Sequence, residues 1–95
     1  MTTLDLIAGK IIKEQELIIG PLAWEEAGHV KGLRMVDKLV GEVIIEGNGD
    51  GRIIIDNLVK EYEVLFGRAA REVCRDAVKN LISGLSKNEI PSSLQ

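Results

Sequence analysis

The sequence is short of aromatic residues, cysteine and long apolar runs, and each shortage excludes a class of protein. Aromatic residues make up 3% of the chain, so the stacking platforms of single-stranded nucleic-acid binders are not expected. The one cysteine, Cys74, cannot form a disulfide within these 95 residues. No apolar run is longer than three residues, so we expect no membrane-spanning segment.

The charge balance and the first residues indicate a cytoplasmic protein. Lys and Arg number 12 and Asp and Glu number 15, which gives a formal net charge of -3. Such a chain is not attracted as a whole to nucleic acid or to anionic lipid. The start, MTTLDLIAGKII, lacks the basic region and the unbroken apolar run of a secretory signal. We therefore predict a cytoplasmic location, no membrane contact and no nucleic-acid partner.

Aliphatic side chains must form the core, since hydrophobic residues make up 45% of the chain. A chain of this length can bury one such core without disulfides. We predict a single domain over residues 1–95, with a polar tail from about residue 86 that breaks at Pro91.

Capping and periodicity predict two helices at the start of the chain. Thr2 and Asp5 have the spacing of a capping box, and apolar residues then recur at helical spacing as far as Ile19. Gly20-Pro21 ends this helix, and the proline suits the first turn of a second, short helix through LAWEEAGHV.

The segment 65–85, LFGRAAREVCRDAVKNLISGL, predicts a long amphipathic helix interrupted only by Gly67. Its apolar residues come in pairs four positions apart, so the stripe drifts about 40° at each step. A stripe that winds in this way needs cover on more than one side. We expect this helix to be the central wall of the core, or to share its surface between the core and a subunit interface.

The middle of the chain allows two interpretations. Residues 33–46 predict either two short strands or a short helix followed by one strand. Residues 52–66 favour a helix that begins near Asp50, and the alternative is a strand over 52–56. In both cases the fold class is α+β and helix-dominated, in the order helix, helix, strand or strands, helix, helix.

Two helices are apolar around too much of their circumference for a small monomer to cover. We therefore predict a non-enzymatic interaction or regulatory module, which forms a homodimer through its first and last helices; another protein is the alternative partner. The predicted interface residues are Trp24, Tyr62, Phe66, Leu81 and Leu85.

Basic residues suggest a second hypothesis, a winged-helix DNA-binding protein. A recognition helix around residues 31–40 would present Lys31, Arg34 and Lys38, and the Gly-rich loop would form the tip of the wing. A further set could contact anions from one face of the long helix: Arg68, Arg71, Arg75 and Lys79.

A third hypothesis is a domain that binds a small ligand or calcium through the Gly-rich loop 47–51. The sequence EGNGDGRI at residues 46–53 resembles an EF-hand calcium loop. The resemblance implies that oxygens of Glu46, Asn48 and Asp50 face an ion and that Gly51 makes the turn. The chain departs from that pattern at its first position, where aspartate is usual, and at its twelfth, where Asn57 replaces the bidentate glutamate. We predict no complete metal site from it, and these three residues are the candidates.

The remaining reactive side chains predict no catalysis and no cofactor. Glu26 and His29 have the spacing of a carboxylate–histidine metal pair, but His29 is the one histidine, so such a site would need a symmetric dimer. Cys74 falls among apolar positions and is predicted to be a small buried hydrophobe.

Overall fold

The computed structural model describes residues 2–46 and 50–95, and these residues form a helix-dominated α+β fold. The predicted fold class is therefore confirmed. The elements in chain order are α1 (Thr3–Ile19), α2 (Leu22–Ala27), β1 (Leu33–Asp37), β2 (Glu42–Ile45), α3 (Gly51–Phe66), α4 (Arg68–Ala77) and α5 (Lys79–Ile82), followed by two 3₁₀ turns, Lys87–Glu89 and Ser92–Leu94.

The first helix occupies the centre of the core. It contacts α2, α3, α4, α5 and β2. Its buried side includes four apolar residues with no exposed surface: Ile7, Ala8, Ile11 and Ile12. Residues 65–85 do not form the central wall of the core, because α4 buries only one member of each apolar pair, such as Ala70 or Cys74. The alternative, a helix shared between the core and a subunit interface, stays a prediction.

The predicted long helix is also interrupted twice. Besides Gly67, the chain leaves helical geometry at Val78, which has φ −110° and ψ 8° and ends α4. Val78 is fully buried, and Leu81 and Ile82 of α5 pack partly buried against the core. We infer that the break keeps these residues packed against the core. In an unbroken helix the apolar stripe would rotate about 40° at each step and turn away from the core.

The ambiguous segment 33–46 forms a hairpin rather than a helix. Strands β1 and β2 pair antiparallel, with Leu33 opposite Ile45 and Met35 opposite Val43. Next to it, residues 52–56 belong to α3, whose N-cap Asp50 accepts a hydrogen bond from the N–H of Arg52. The favoured interpretation of residues 52–66 is therefore confirmed.

The turn of the hairpin contacts α1 at two glycines, Gly41 in the turn and Gly9 in the helix, which have no side chains to keep the two backbone segments apart. Gly41 has a φ of 73°, which suits glycine. A Cβ added to Gly9 would overlap the carbonyl oxygen of Gly41. Lys13 holds the same turn from α1, because its Nζ donates a hydrogen bond of 3.2 Å to the Leu39 carbonyl.

The start of α1 is joined to the hairpin by one carboxylate. Asp5 completes the predicted capping box with Thr2 and also accepts a hydrogen bond of 2.9 Å from the N–H of Ile45. Burial opposes ionisation of Asp5, but the hydrogen bonds from Thr2 and Ile45 outweigh it and lower the pKa of this carboxyl below its ordinary value.

The polar tail folds back onto the domain. Pro91 and Leu94 are buried, and Asp56 of α3 accepts hydrogen bonds from the N–H of Ser93 at 3.0 Å and its hydroxyl at 2.6 Å. From α4, Arg71 Nε donates to the Ser93 carbonyl at 3.1 Å. The last residues of the sequence thus cover a junction between α3 and α4.

Replacing Gly9 with alanine tests the contact between α1 and the hairpin turn. The added methyl must displace a backbone carbonyl, so we expect Gly9→Ala to lower the free energy of unfolding by about 1–3 kcal/mol despite the better helix propensity of alanine. Gly84→Ala is the matched control, because a Cβ there meets nothing within 4 Å. Urea unfolding followed by circular dichroism measures both variants, and a Gly9→Ala protein as stable as the wild type would refute the contact.

Replacing Asp5 with alanine tests the junction between α1 and β2. At neutral pH we expect Asp5→Ala to cost about 1–3 kcal/mol, because it removes a cap and an acceptor for the Ile45 N–H. The pKa of Asp5 is lower in the folded than in the unfolded chain, so this contribution is present above the unfolded value and is lost as the pH falls through the folded pKa. The stability difference from the wild type should therefore shrink in acid, and a difference that does not change with pH would contradict this role.

Candidate functional site

Two of the predicted interface aromatics lie inside the domain. Tyr62 has no exposed surface, and its hydroxyl donates a hydrogen bond of 2.7 Å to the Ala23 carbonyl. Trp24 is 5% exposed, and its Nε1 donates to Glu16 Oε2 at 2.9 Å. These side chains join α2 to its neighbours and offer almost no surface to a partner, whereas Phe66 is 40% exposed.

The other two predicted interface residues have an intermediate position. Leu81 in α5 and Leu85 after it are partly buried, and both pack against the core of the same chain. Much of their apolar surface is therefore already covered within the domain.

Two helix corners lie at the same end of the domain. Near their starts, α1 and α3 are close, because a Cβ on Gly51 would come within 2.8 Å of Leu4. Near the end of α3, Tyr62 contacts Ala23, which follows the end of α1. The two helices therefore run in the same direction, and the α1–α2 and α3–α4 corners come together.

These corners carry large exposed apolar side chains, and we call this set the apolar end: Leu17, Ile18, Leu22, Val64, Leu65 and Phe66. Their exposed fractions range from 37% for Leu22 to 80% for Leu17. Ile18, Leu65 and Phe66 continue the buried stripes of α1 and α3 by one further turn. The apolar periodicity of α1 and α3 is visible in the sequence. The sequence does not show at which residue each apolar stripe ceases to be buried.

The winged-helix arrangement is not formed. The stretch expected to be a recognition helix consists of turns and the strand β1, and the strand expected after the Gly-rich loop is part of α3. Of the three basic residues assigned to DNA, Arg34 lies on β1 and pairs with Glu46 at 2.7 Å, while Lys31 and Lys38 lie in the turns on either side. They share no helical face.

The second basic set is partly used within the fold. Arg71 binds the Ser93 carbonyl, and Arg75 donates a hydrogen bond of 2.9 Å to the Gln95 carbonyl. Arg68 and Lys79 are exposed at the two ends of the set, and Lys79 lies beyond the break at Val78. The stripe is therefore not one continuous helical face, and its two central members hold the tail.

The carboxylates of the calcium-loop candidate have other partners. Glu46 pairs with Arg34, and Asp50 accepts a hydrogen bond of 3.0 Å from Arg52 Nε. The arginine holds the pKa of Asp50 at about 2, well below its ordinary value. Asn48 and its two neighbouring glycines lie outside the described residues.

A cluster of possible metal ligands lies at the end of α2. His29 Nδ1 is 3.5 Å from Glu26 Oε2 and 4.0 Å from Glu61 Oε2, and a donor atom of each residue lies within 4.8 Å of the others. Glu26 and His29 were evident from their spacing in the sequence. Glu61 was not, because it belongs to α3 and reaches the pair only in the folded chain.

Cys74 faces the core, as its position in the apolar pattern predicts. It has no exposed surface, and Gln15 Nε2 lies 3.4 Å from its sulfur. Burial raises the pKa of the thiol to about 11 and outweighs the hydrogen bond from Gln15. A thiol in this state is a poor nucleophile.

Comparison of the chain with protein-family models, with curated proteins and with solved structures finds no match in any of the three. Among the described residues, no helix has both the length and the apolar character needed to cross a bilayer. We therefore infer its function from the geometry of the chain itself.

Reaction with a thiol reagent tests the burial of Cys74. At about pH 8 a rise in pKa to about 11 leaves a thiolate fraction on the order of 100-fold below that of a free thiol, and burial blocks access as well. We expect native Cys74 to react at least that much more slowly than the chain in denaturant. Ser83→Cys, at an exposed position, is the positive control and should react at once. Rapid labelling of native Cys74 would contradict the structure.

Proposed function

We propose that this protein is a non-enzymatic interaction module that forms a homodimer through its apolar end. One observation carries the proposal: the buried stripes of α1 and α3 continue for one turn beyond their cover and leave Ile18, Leu65 and Phe66 exposed at the same end of the domain as Leu17, Leu22 and Val64. Large apolar side chains that stay exposed at one end of a domain indicate an interaction surface.

A second copy of the chain fits this surface in chemical terms. The side chains of the apolar end are uncharged, and Lys60 and Glu61 lie beside Val64 and Leu65 at its edge, where the charged rim of an interface stays in contact with water. Closed two-fold symmetry, in which the same patch serves both subunits, is the commonest arrangement of homo-oligomers.

The proposed surface differs in part from the one that the sequence predicted. It retains α1 and Phe66, but it replaces the last helix with the end of α3. The exposed residues of α4 support this change, because they include the charged residues Arg68, Glu72 and Asp76. A charged face is a poor core for an interface.

The non-enzymatic part of the proposal is supported by the state of the reactive groups. Cys74, the one thiol, is buried and has a raised pKa. His29, the one histidine, has carboxylates as its neighbours rather than a nucleophile that it could activate.

Introducing a positive charge into the apolar end tests the proposal. We expect the wild type to show a concentration-dependent equilibrium between monomer and dimer in analytical ultracentrifugation, and we expect Leu17→Lys and Val64→Lys to be monomeric. Both side chains are largely exposed, at 80% and 73%, so neither substitution should unfold the chain.

Ile53→Lys is the matched control, since Ile53 is 57% exposed on the same helix as Val64 but about 16 Å nearer its start. This variant should still form the dimer. A wild type that stays monomeric at every concentration would refute the proposal, as would a dimer that neither substitution weakens.

A further inference from the structure

We propose that Glu26, His29 and Glu61 form a binding site for one divalent transition-metal ion, of which Zn²⁺ is the representative. The site does not require the proposed dimer, because all three ligands come from one chain. An imidazole and two carboxylates are ligands that Zn²⁺ accepts in proteins.

The distances between the donor atoms fit an ion of this size. Two ligand atoms that each lie about 2.1 Å from a tetrahedral Zn²⁺ are about 3.4 Å apart. The Nδ1 of His29 is 3.5 Å from Glu26 Oε2 and 4.0 Å from Glu61 Oε2. Rotation of the Glu61 side chain would bring its carboxylate to this separation from His29, and a donor atom of Glu61 already lies within 4.8 Å of those of the other two residues.

The charges around the cluster also favour a cation. The side chain of Glu26 is only 14% exposed, yet within the described residues no lysine or arginine nitrogen comes within 4 Å of the carboxylate of Glu26 or Glu61. Lys31 and Lys60 line the same cleft, so they reduce the negative potential without pairing with either glutamate. A divalent ion would neutralise two carboxylates that now face a single imidazole.

The backbone gives the site a rigid frame on two sides. Glu26 is in α2, and His29 follows the end of that helix, where its N–H bonds to the Glu26 carbonyl at 3.1 Å. Glu61 lies in α3 beside Tyr62, whose hydrogen bond to Ala23 fastens α3 to α2. Three protein ligands leave a fourth position of a tetrahedral ion open towards solvent, since His29 is 65% exposed.

Metal titration of the purified, tag-free chain tests the site. We expect isothermal titration with Zn²⁺ to give one ion per chain, and we expect Co²⁺ to give the visible spectrum of a low-coordinate site. His29→Ala and Glu61→Gln should each weaken binding at least about tenfold, since each removes a ligand. Both positions are exposed enough that circular dichroism should show an unchanged fold.

Glu25→Gln is the matched control, because Glu25 is an exposed glutamate that precedes Glu26 on the same helix. It should bind Zn²⁺ as the wild type does. Absence of binding up to about 1 mM Zn²⁺ would overturn the proposal. Binding that His29→Ala and Glu61→Gln leave unchanged would overturn it as well, because the ion would then be held elsewhere.

Discussion

The burial of α1 among four helices and a strand is the constraint on which the rest of the structure depends. Three buried positions of α1 do not carry an apolar side chain. At Gly9 the hairpin turn comes so close that no side chain fits. At Gln15 a buried amide donates to the Ala70 carbonyl at 3.1 Å and binds α1 to α4. At Asp5 a carboxylate holds β2. These three residues interrupt the apolar pattern of the helix, and each of them contacts a different neighbouring element.

Local features of the fold could be predicted from the sequence, whereas its centre could not. The capping box at Thr2, the helix end at Gly20 and the N-cap at Asp50 are set by residues next to one another in the chain, and they form as expected. Periodicity gives the apolar side of a helix but not the number of its neighbours. For this reason the sequence did not show that α1, rather than the segment after Gly67, occupies the centre of the core. The hydrogen bonds that hold the tail could not be predicted for the same reason, because polar residues such as Ser93 meet Asp56 only after folding.

For the candidate sites, too, the sequence predicted local features but not contacts between residues that are distant in the chain. The sequence identified the charged and aromatic residues but not whether the fold would use them internally. Arg71 and Arg75 became anchors for backbone carbonyls, and Tyr62 became a buried cross-link between α2 and α3. Six large apolar side chains stay exposed near the α1–α2 and α3–α4 corners, and others, such as Leu39 and Val40, stay exposed in the hairpin turn. Val64 and Leu65 of the apolar end also line the cleft of Glu26, His29 and Glu61, so an occupant of either surface would alter the surroundings of the other.

The folded-back tail has a consequence for the motions of the domain. Its contacts join residues far apart in sequence, such as Asp56 and Ser93, so they can form only after α3 and α4 have met. Such a segment opens at a lower free energy than the helices beneath it. When it opens, Leu94 leaves its position and uncovers apolar surface between α3 and α4. Amide hydrogen exchange should therefore resolve two levels of protection in this small domain, a lower one for the tail and a higher one for the interior of α1.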